Sequence, residues 1–229
     1  MNTIAICDQI TKLQDSIHSC EQRYQREKDS VTLLAVSKTQ PVSSIQEAMR
    51  CGQHKFGENY AQELAEKSRL IGQEVVQWHF IGPIQSNKTS LLSQTVNWVH
   101  TVDRIKIARR LNAQRPDDLP ALNICLQVNL DEEDSKAGVL PEELPALAEA
   151  VTELNRLKLR GLRAIPKPVS RLEAQRQSLS RQRLAQDELI TRGFDLVTLS
   201  MGMTNDYEAA IAEGATIIRI GTALFGKRR

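Results

Sequence analysis

A lysine directly after an apolar run is the residue of this sequence with the clearest chemical potential. The run Thr32–Val36 leads into Ser37, Lys38 and Thr39, and functional side chains of parallel α/β folds gather at the carboxyl ends of strands. A lysine desolvated there has a lowered pKa and can condense with an aldehyde as a Schiff base. The alternative is a lysine whose ammonium simply reaches water. For Lys38 taken alone, that alternative is favoured.

Two glycine turns near the end of the chain indicate a matching anion site. Ser200 precedes Gly202, and Gly221 with Thr222 follows the last apolar run. Backbone N–H groups freed by glycine, together with the two hydroxyls, can receive a phosphate dianion. Barrels frequently bind phosphate with the loops after strands seven and eight. Ordinary glycine turns are the alternative, but together with Lys38 these turns favour an aldehyde phosphate as ligand.

Arg219 is the candidate for contact with a heterocycle. It precedes Gly221 by two residues, so a strand places both on one face, with Arg219 deeper. A permanent guanidinium that donates to a pyridine nitrogen keeps that nitrogen unprotonated and weakens the ring as an electron sink. A salt bridge from Arg219 to a carboxylate such as Glu58 is an equally good interpretation.

Three further polar residues are weaker candidates. Asn59 can hydrogen-bond a ring hydroxyl, although asparagine before a helix is often only an N-cap. His79 lies within an apolar run, where a core histidine is commoner than a proton carrier. Lys136 lies in a charged loop and is expected to be solvated, although it can also accept the aldehyde transiently.

Eight short β-rich runs position these residues and alternate with segments of helical spacing. The runs cover residues 32–36, 55–57, 75–81, 98–102, 124–130, 159–165, 196–201 and 216–220. Alternation of this kind predicts a parallel sheet with crossover helices. Eight units in 229 residues favour a closed (β/α)8 TIM barrel with few insertions. An open doubly wound sheet is the alternative, but neither G-x-G-x-x-G after the first run nor GxxxxGK[ST] occurs.

The helices have recognisable ends. Residues 4–28 predict an extra N-terminal helix, and residues 170–192 a very polar one. Residues 43–47 begin a helix with a capping box that Gly52 closes, and Asn205 with Glu208 begins the last one, which Gly214 ends. Because no linker or repeat interrupts the chain, we expect one domain over residues 1–229.

Composition excludes several classes of protein. Thirty basic and 28 acidic residues give a net charge of +2, and aromatic residues make up only 4%. A dedicated nucleic-acid binder is therefore not expected, because it needs positive charge and stacking platforms. No apolar stretch approaches the roughly 20 residues of a membrane span, and the N-terminus lacks a signal-peptide core. We expect a soluble cytoplasmic protein.

The spacing of the cysteines predicts neither a disulfide framework nor a metal site. Cys7, Cys20, Cys51 and Cys125 form no C-x-x-C pair and have no regular spacing, so neither a zinc site nor disulfides are expected. Reduced buried thiols are the predicted state.

The chain resembles the pyridoxal phosphate homeostasis proteins, the YggS/PROSC-like family. The resemblance extends from Leu33 to Gly226 and is carried by LLAVSKT, FGENY, WHFIGPIQSNK, HTVDR, SKAG, RGL-x-AIP, LSMGM and RIGTALFG. No single segment is decisive, but their order along the chain is highly specific.

The resemblance implies a fold-type III barrel similar to the N-terminal domain of alanine racemase, with pyridoxal 5'-phosphate (PLP) held as a Schiff base on Lys38. It also implies that Arg219 faces the pyridine nitrogen and that Asn59 lies beside the ring. The residues it implies for the phosphate are Ser200, Met201, Gly221 and Thr222. The implied function is storage, buffering or delivery of PLP inside the cell.

Two positions depart from the family pattern. Arg163, in RGLRAIP, stands where the family is expected to be apolar, and it can alter the barrel mouth or a partner surface. Residues 203–206 vary a usual serine–aspartate pairing. That segment keeps a hydroxyl and a capping residue, so phosphate binding is expected to persist.

Two functions of different class fit the resemblance: a PLP-binding regulatory protein, and a PLP enzyme such as an amino-acid racemase. Racemases of this fold add a C-terminal β domain, whereas this chain stops soon after the eighth predicted strand. Racemisation also needs a proton-transfer group on each face of the ring, and the sequence offers a strong candidate on one. We therefore expect a non-enzymatic monomer that transiently contacts apo forms of PLP-dependent enzymes. A lysine-dependent aldolase is a third, weaker interpretation.

Overall fold

The computed structural model describes residues 3–72, 75–131 and 137–226, and the strands in that part close into a barrel. Each strand pairs in parallel with the next in chain order, and the eighth pairs with the first. The predicted (β/α)8 barrel with an extra N-terminal helix is confirmed, and the alternative of an open sheet is excluded.

The strands are β1 (Thr32–Val36), β2 (Lys55–Glu58), β3 (Gln77–Phe80), β4 (Trp98–Val102), β5 (Leu122–Gln127), β6 (Leu157–Arg163), β7 (Thr198–Ser200) and β8 (Ile217–Ile220). The helices are α1 (Thr3–Arg23), α2 (Val42–Arg50), α3 (Ala61–Ile71), α4 (Thr89–Thr95), α5 (Ile105–Gln114), α6 (Leu144–Thr152), α7 (Leu172–Thr191), α8 (Tyr207–Ala212) and α9 (Thr222–Phe225). In the described part of the chain, no helix combines the length and apolar character that a membrane span requires.

The strand bounds differ from the predicted ones by a few residues. β1 and β4 have the predicted bounds, whereas β6 begins at Leu157 and ends before Ile165. Val76 and Ile81 flank β3 and are buried without belonging to it. An apolar run marks where side chains are buried, but a strand ends where its backbone stops pairing, so the two bounds need not coincide.

Helix α1 is held by one apolar face. The residues of that face recur at helical spacing and are buried: Ile6, Ile10, Leu13 and Ile17. Burying side chains of this size contributes roughly 1.5–3 kcal/mol each, and the helix packs against α2, α8 and α9. It ends at Arg23, earlier than predicted, because the chain turns through Gln25 and Asp29, whose φ angles are 53° and 63°.

The predicted capping boxes of α2 and α8 are wrong, because neither helix has a side-chain cap. α2 follows Pro41, which is the last residue before the helix and has an extended conformation, with φ of −68° and ψ of 155°. Asp206, before α8, accepts a hydrogen bond from the Met203 N–H at 2.6 Å instead of capping the helix. Gly52 and Gly214 follow their helices as predicted, with φ angles of 85° and 93°.

A disulfide joins Cys7 in α1 to Cys51 at the end of α2, with Cα atoms 5.4 Å apart. The prediction of reduced thiols is wrong for this pair and is confirmed for Cys20 and Cys125, which are free and buried. The pair is 44 residues apart in sequence. Its proximity depends on the packing of α1 against α2, which cysteine spacing does not reveal.

Candidate functional site

A cavity of about 810 Å³ lies at the barrel mouth, where the strands give way to loops. Five of the seven predicted site residues line it: Lys38, Asn59, Arg219, Gly221 and Thr222. Ser200 and Met201 do not line it, since both are fully buried. A second cavity, of about 520 Å³, lies between α1 and the starts of β1 and β2 and contains none of the predicted residues.

Lys38 sits in a short loop that both neighbours fix. The Ser37 hydroxyl donates to Glu58 Oε1 at 2.6 Å, and the Ser37 N–H donates to the Gly57 carbonyl at 3.0 Å. Thr39 has a φ of 63°, an uncommon conformation for a β-branched residue. Its N–H donates to Glu63 Oε1 at 2.6 Å. The backbone on each side of Lys38 is therefore held in place.

A buried ion cluster supports this loop. Lys67 Nζ lies 2.8 Å from Glu58 Oε1, 2.7 Å from Glu63 Oε1 and 2.8 Å from the Ser37 carbonyl oxygen. Glu58 and Lys67 are both buried. Burial raises the pKa of the Glu58 carboxyl, and the charge of Lys67 opposes that rise. Charge pairing thus connects α3 and the end of β2 to the loop that carries Lys38.

Asn59 presents an unsatisfied acceptor at the cavity. Its Oδ1 is buried and has no hydrogen-bond partner among the described residues. Tyr60, not Asn59, is the N-cap of α3, so the alternative that Asn59 is only an N-cap is wrong. A Cβ at Gly82 would lie 2.0 Å from the Asn59 carbonyl oxygen, and the Thr101 hydroxyl holds the Gly82 carbonyl at 2.7 Å. Glycine at residue 82 is therefore required for the observed position of Asn59.

Arg219 lies in the barrel and forms no salt bridge to a carboxylate of the residues that the structure describes. Its Nη1 donates to the Ser200 carbonyl at 2.5 Å and to Ser200 Oγ at 2.9 Å, and its Nη2 donates to the Ala164 carbonyl at 3.3 Å. The salt bridge to Glu58 is wrong, because Glu58 pairs with Lys67. Burial lowers the pKa of Arg219 to about 10, so the guanidinium stays charged at neutral pH.

A hydrogen-bonded chain leads from Arg219 through the barrel interior. Arginine only donates, so Ser200 Oγ accepts from Arg219 and its own hydrogen goes to His100 Nδ1, 2.8 Å away. His100 Nε2 then donates to His79 Nδ1 at 2.8 Å, and His79 Nε2 to Gln77 Oε1 at 3.2 Å. Burial lowers the pKa of His79 to about 3 and the pKa of His100 well below its usual value. Neutral imidazoles fit this single direction of donation, and His79 is a core histidine, as predicted.

Of the two predicted glycine turns, Gly221 lines the cavity, whereas Gly202 packs against α8. A Cβ at Gly221 would lie 3.2 Å from the Val36 carbonyl oxygen. Gly202 has a φ of 91°, and a Cβ there would lie 2.6 Å from Ala210 Cβ. Larger side chains at either residue would displace the neighbouring segments.

Arg163 also lines the cavity, and the sequence identified it only as a departure from the family pattern. It is 5% exposed; its Nη1 donates to Gln127 Oε1 and its Nη2 to the Ile81 carbonyl at 3.3 Å. Burial, and then the charge of Arg219, lower the pKa of Arg163 to about 9. Three basic residues line the mouth, Lys38, Arg163 and Arg219, but only one of its described lining residues is a carboxylate, Asp206. This excess of positive charge favours binding of an anion.

The sequence does not reveal the residues that support the site without lining the cavity. Lys67 and Glu63 share a helix face at i,i+4 spacing, which is a usable signal, but only the fold shows that they reach the Lys38 loop. His100 had no such signal. Lys136 lies outside the described residues.

The fold and this mouth define a class of closed barrels, that of the N-terminal domain of alanine racemase, whose family model matches residues 12–229. The pyridoxal phosphate homeostasis protein of Pseudomonas aeruginosa is 52% identical over 228 residues, covering 100% of this chain and 97% of the relative. Its namesake in Escherichia coli K12 is 48% identical over 231 residues, covering 100% and 98%. The chain belongs to the pyridoxal phosphate homeostasis protein family, as the sequence resemblance implied.

A solved relative agrees with this assignment. The structure of PipY from Synechococcus elongatus with PLP bound has a TM-score of 0.84 and 34% identity, and the match covers 96% of this chain and 100% of PipY.

Proposed function

We propose that this chain binds PLP at the barrel mouth and serves PLP homeostasis by storing, buffering or delivering the cofactor. The observation that carries the proposal is the convergence of Lys38, Asn59, Arg219, Gly221 and Thr222 on one cavity. The names of the relatives and the PLP-bound structure of PipY support it.

The residues present fit the chemistry of PLP. The excess of basic side chains at the mouth suits a phosphate dianion. The unpaired Oδ1 of Asn59 suits a ring hydroxyl. Gly221 lines the cavity without a side chain, and a Cβ there would press on the Val36 carbonyl. An orphaned buried acceptor costs free energy, which a bound donor offsets.

Each residue then has a defined part. Lys38 would hold PLP covalently through its aldehyde. Gly221 and Thr222 would hold the phosphate, and Arg219 would donate to the ring nitrogen. For Ser200 and Met201 the phosphate contact stays a prediction: neither lines the cavity, the Ser200 hydroxyl bonds His100 and Arg219, and the Met201 N–H donates to the Ile217 carbonyl at 3.1 Å. Bound PLP supplies an electrophilic aldehyde on an electron-withdrawing ring.

A holding role fits the side chains better than catalysis does. Racemisation needs an acid/base group on each side of the ring. Within the described part of the chain, no tyrosine, histidine or cysteine lines the cavity. We propose that the protein works in the cytoplasm as a monomer and passes PLP to apo forms of PLP-dependent enzymes. Recovery of an apoenzyme's activity on mixing with the PLP-loaded protein tests delivery, and sedimentation tests the monomer.

Loss of the Lys38 amine tests the proposal directly. The purified protein is expected to be yellow with PLP, and Lys38→Ala to lose the Schiff-base absorption. Borohydride reduction followed by peptide mass spectrometry should place the ligand on Lys38. Lys28→Ala removes an exposed lysine near the end of α1 and is the matched control, expected to keep the spectrum. An unchanged spectrum in Lys38→Ala contradicts the assignment, and sustained deuterium exchange at the α-carbon of amino acids would favour a racemase.

A further inference from the structure

Arg163 is a buried cation whose hydrogen-bond partners are all neutral. Within residues 3–72, 75–131 and 137–226, its hydrogen bonds go to the Gln127 side-chain oxygen and the Ile81 carbonyl, and its buried Nε has no partner. A buried charge is expensive unless it is paired and hydrogen-bonded. In the described part of the chain, Arg163 has hydrogen bonds but no paired negative charge, so it meets that condition only in part.

Another buried arginine shows what a structural role looks like in this fold. Arg115, also buried, donates from Nε to the Pro120 carbonyl at 2.8 Å and from Nη1 to the carbonyls of Ser93 and Val96 at 2.6 and 2.9 Å. Its Nε is satisfied and it does not line the mouth cavity. Arg163 lacks that Nε partner and does line the cavity, so its guanidinium is available to a ligand.

An irregularity in β6 places Arg163 at the mouth. Ile124 pairs with Leu159 and Cys125 with Gly161, so Arg160 is the extra residue of a bulge. Residues three apart point to opposite faces of a regular strand. Here both side chains face the interior. Arg160 lies over the Trp98 ring, 5.9 Å from its centroid, among the interior side chains. Arg163 reaches from β6 across to Ile81, just after β3. The guanidinium of Arg163 therefore spans part of the barrel top as a floor for the cavity.

Arg219 forms the neighbouring part of this floor. Its contacts are also neutral: the Ser200 carbonyl and hydroxyl and the Ala164 carbonyl. The two guanidiniums repel each other electrostatically, so an anion between or above them stabilises both. Among the lining residues, Asp206 supplies the one negative charge, and it lies at the start of α8.

We propose that Arg163 is a specificity-determining residue of the mouth: with Arg219 it makes a double-guanidinium floor that selects doubly charged phosphorylated aldehydes over their unphosphorylated counterparts. The inference rests on the proposed function. It adds that this chain recognises the charge of its ligand with two arginines and not only with the glycine turns that contact the phosphate.

Equilibrium binding of PLP and of unphosphorylated pyridoxal tests the role of Arg163. In Arg163→Met, PLP affinity is expected to fall about 10- to 100-fold and pyridoxal affinity less than threefold, because the lost charge acts most on the dianion. Arg163→Lys keeps the charge and is expected to stay within about threefold of wild type. Lys158→Met removes the same charge from an exposed residue of β6 outside the cavity lining, and it should bind both ligands as wild type does.

The outcomes separate the inference from the proposed function. Circular dichroism and thermal melts first establish that each variant is folded, and Arg163→Gln replaces Arg163→Met if the latter is not. If wild type binds PLP but Arg163→Met binds it equally well, or loses both ligands equally, the inference is overturned and the proposed function stands. Arg163→Lys as weak as Arg163→Met also overturns it. If wild type itself does not bind PLP, the proposed function fails.

Discussion

The position of Lys38, the residue proposed to bind PLP covalently, depends on residues that do not line the cavity. Ser37 and Thr39 fix the backbone around it, and Lys67 with Glu63 fixes both of them through charge-assisted hydrogen bonds. Such bonds are shorter and stronger than neutral ones. At the scale of a residue, the position of a reactive amine is set by a buried ion cluster on an adjacent helix.

Removing the cation of that cluster should be costly. Lys67→Met leaves Glu58 buried without its countercharge, so the free energy of unfolding should fall by about 3–5 kcal/mol, as measured by urea denaturation at pH 7. Adding Glu58→Gln to the same chain should recover part of the loss, because the uncompensated charge is then gone. A loss below about 1 kcal/mol, or no recovery in the double variant, would show that the cluster does not contribute as described.

At the scale of elements, the sequence predicts what depends on local pattern and misses what depends on packing. Apolar runs and turns located all eight strands and the C-terminal ends of α2 and α8, since burial and glycine conformation are local properties. The bulge at Arg160 is invisible to a two-residue period, and it decides that Arg163 faces the mouth. The reach of Lys67 and the pairing of Cys7 with Cys51 likewise require neighbours that only the folded chain supplies.

The disulfide gives the α1–α2 contact a redox-dependent stability. It closes a segment of 44 residues, for which chain-entropy arguments predict a contribution between about 3 and 5 kcal/mol. Cys7→Ser should therefore lower the free energy of urea unfolding by this amount under oxidising conditions, and Cys51→Ser should do the same. With dithiothreitol, wild type and both variants should nearly coincide. A wild-type unfolding curve that dithiothreitol does not change would contradict the contribution of the disulfide.

At the scale of the molecule, the barrel interior is polar where such interiors are dominated by bulky branched side chains. Buried His79 and His100 link Gln77, near the start of β3, to Ser200 and Arg219 at the mouth. The hydrogen bonds that run through the barrel from Gln77 to Arg219 therefore require both imidazoles to be neutral. The stability of the whole fold is then coupled to pH through residues far from solvent.

Acid should therefore destabilise the protein, because it forces the buried histidines to protonate. The pKa of His79 is about 3 in the folded protein and about 6.5 in an unfolded chain, so protonation favours unfolding. Its contribution is fully present above about pH 6.5 and is lost as the pH falls toward 3, with an upper limit of about 5 kcal/mol. Urea unfolding at pH 7, 6, 5 and 4 measures the loss. His79→Gln should flatten the pH dependence. Parallel pH profiles for wild type and His79→Gln would show that this imidazole is not held neutral by the barrel.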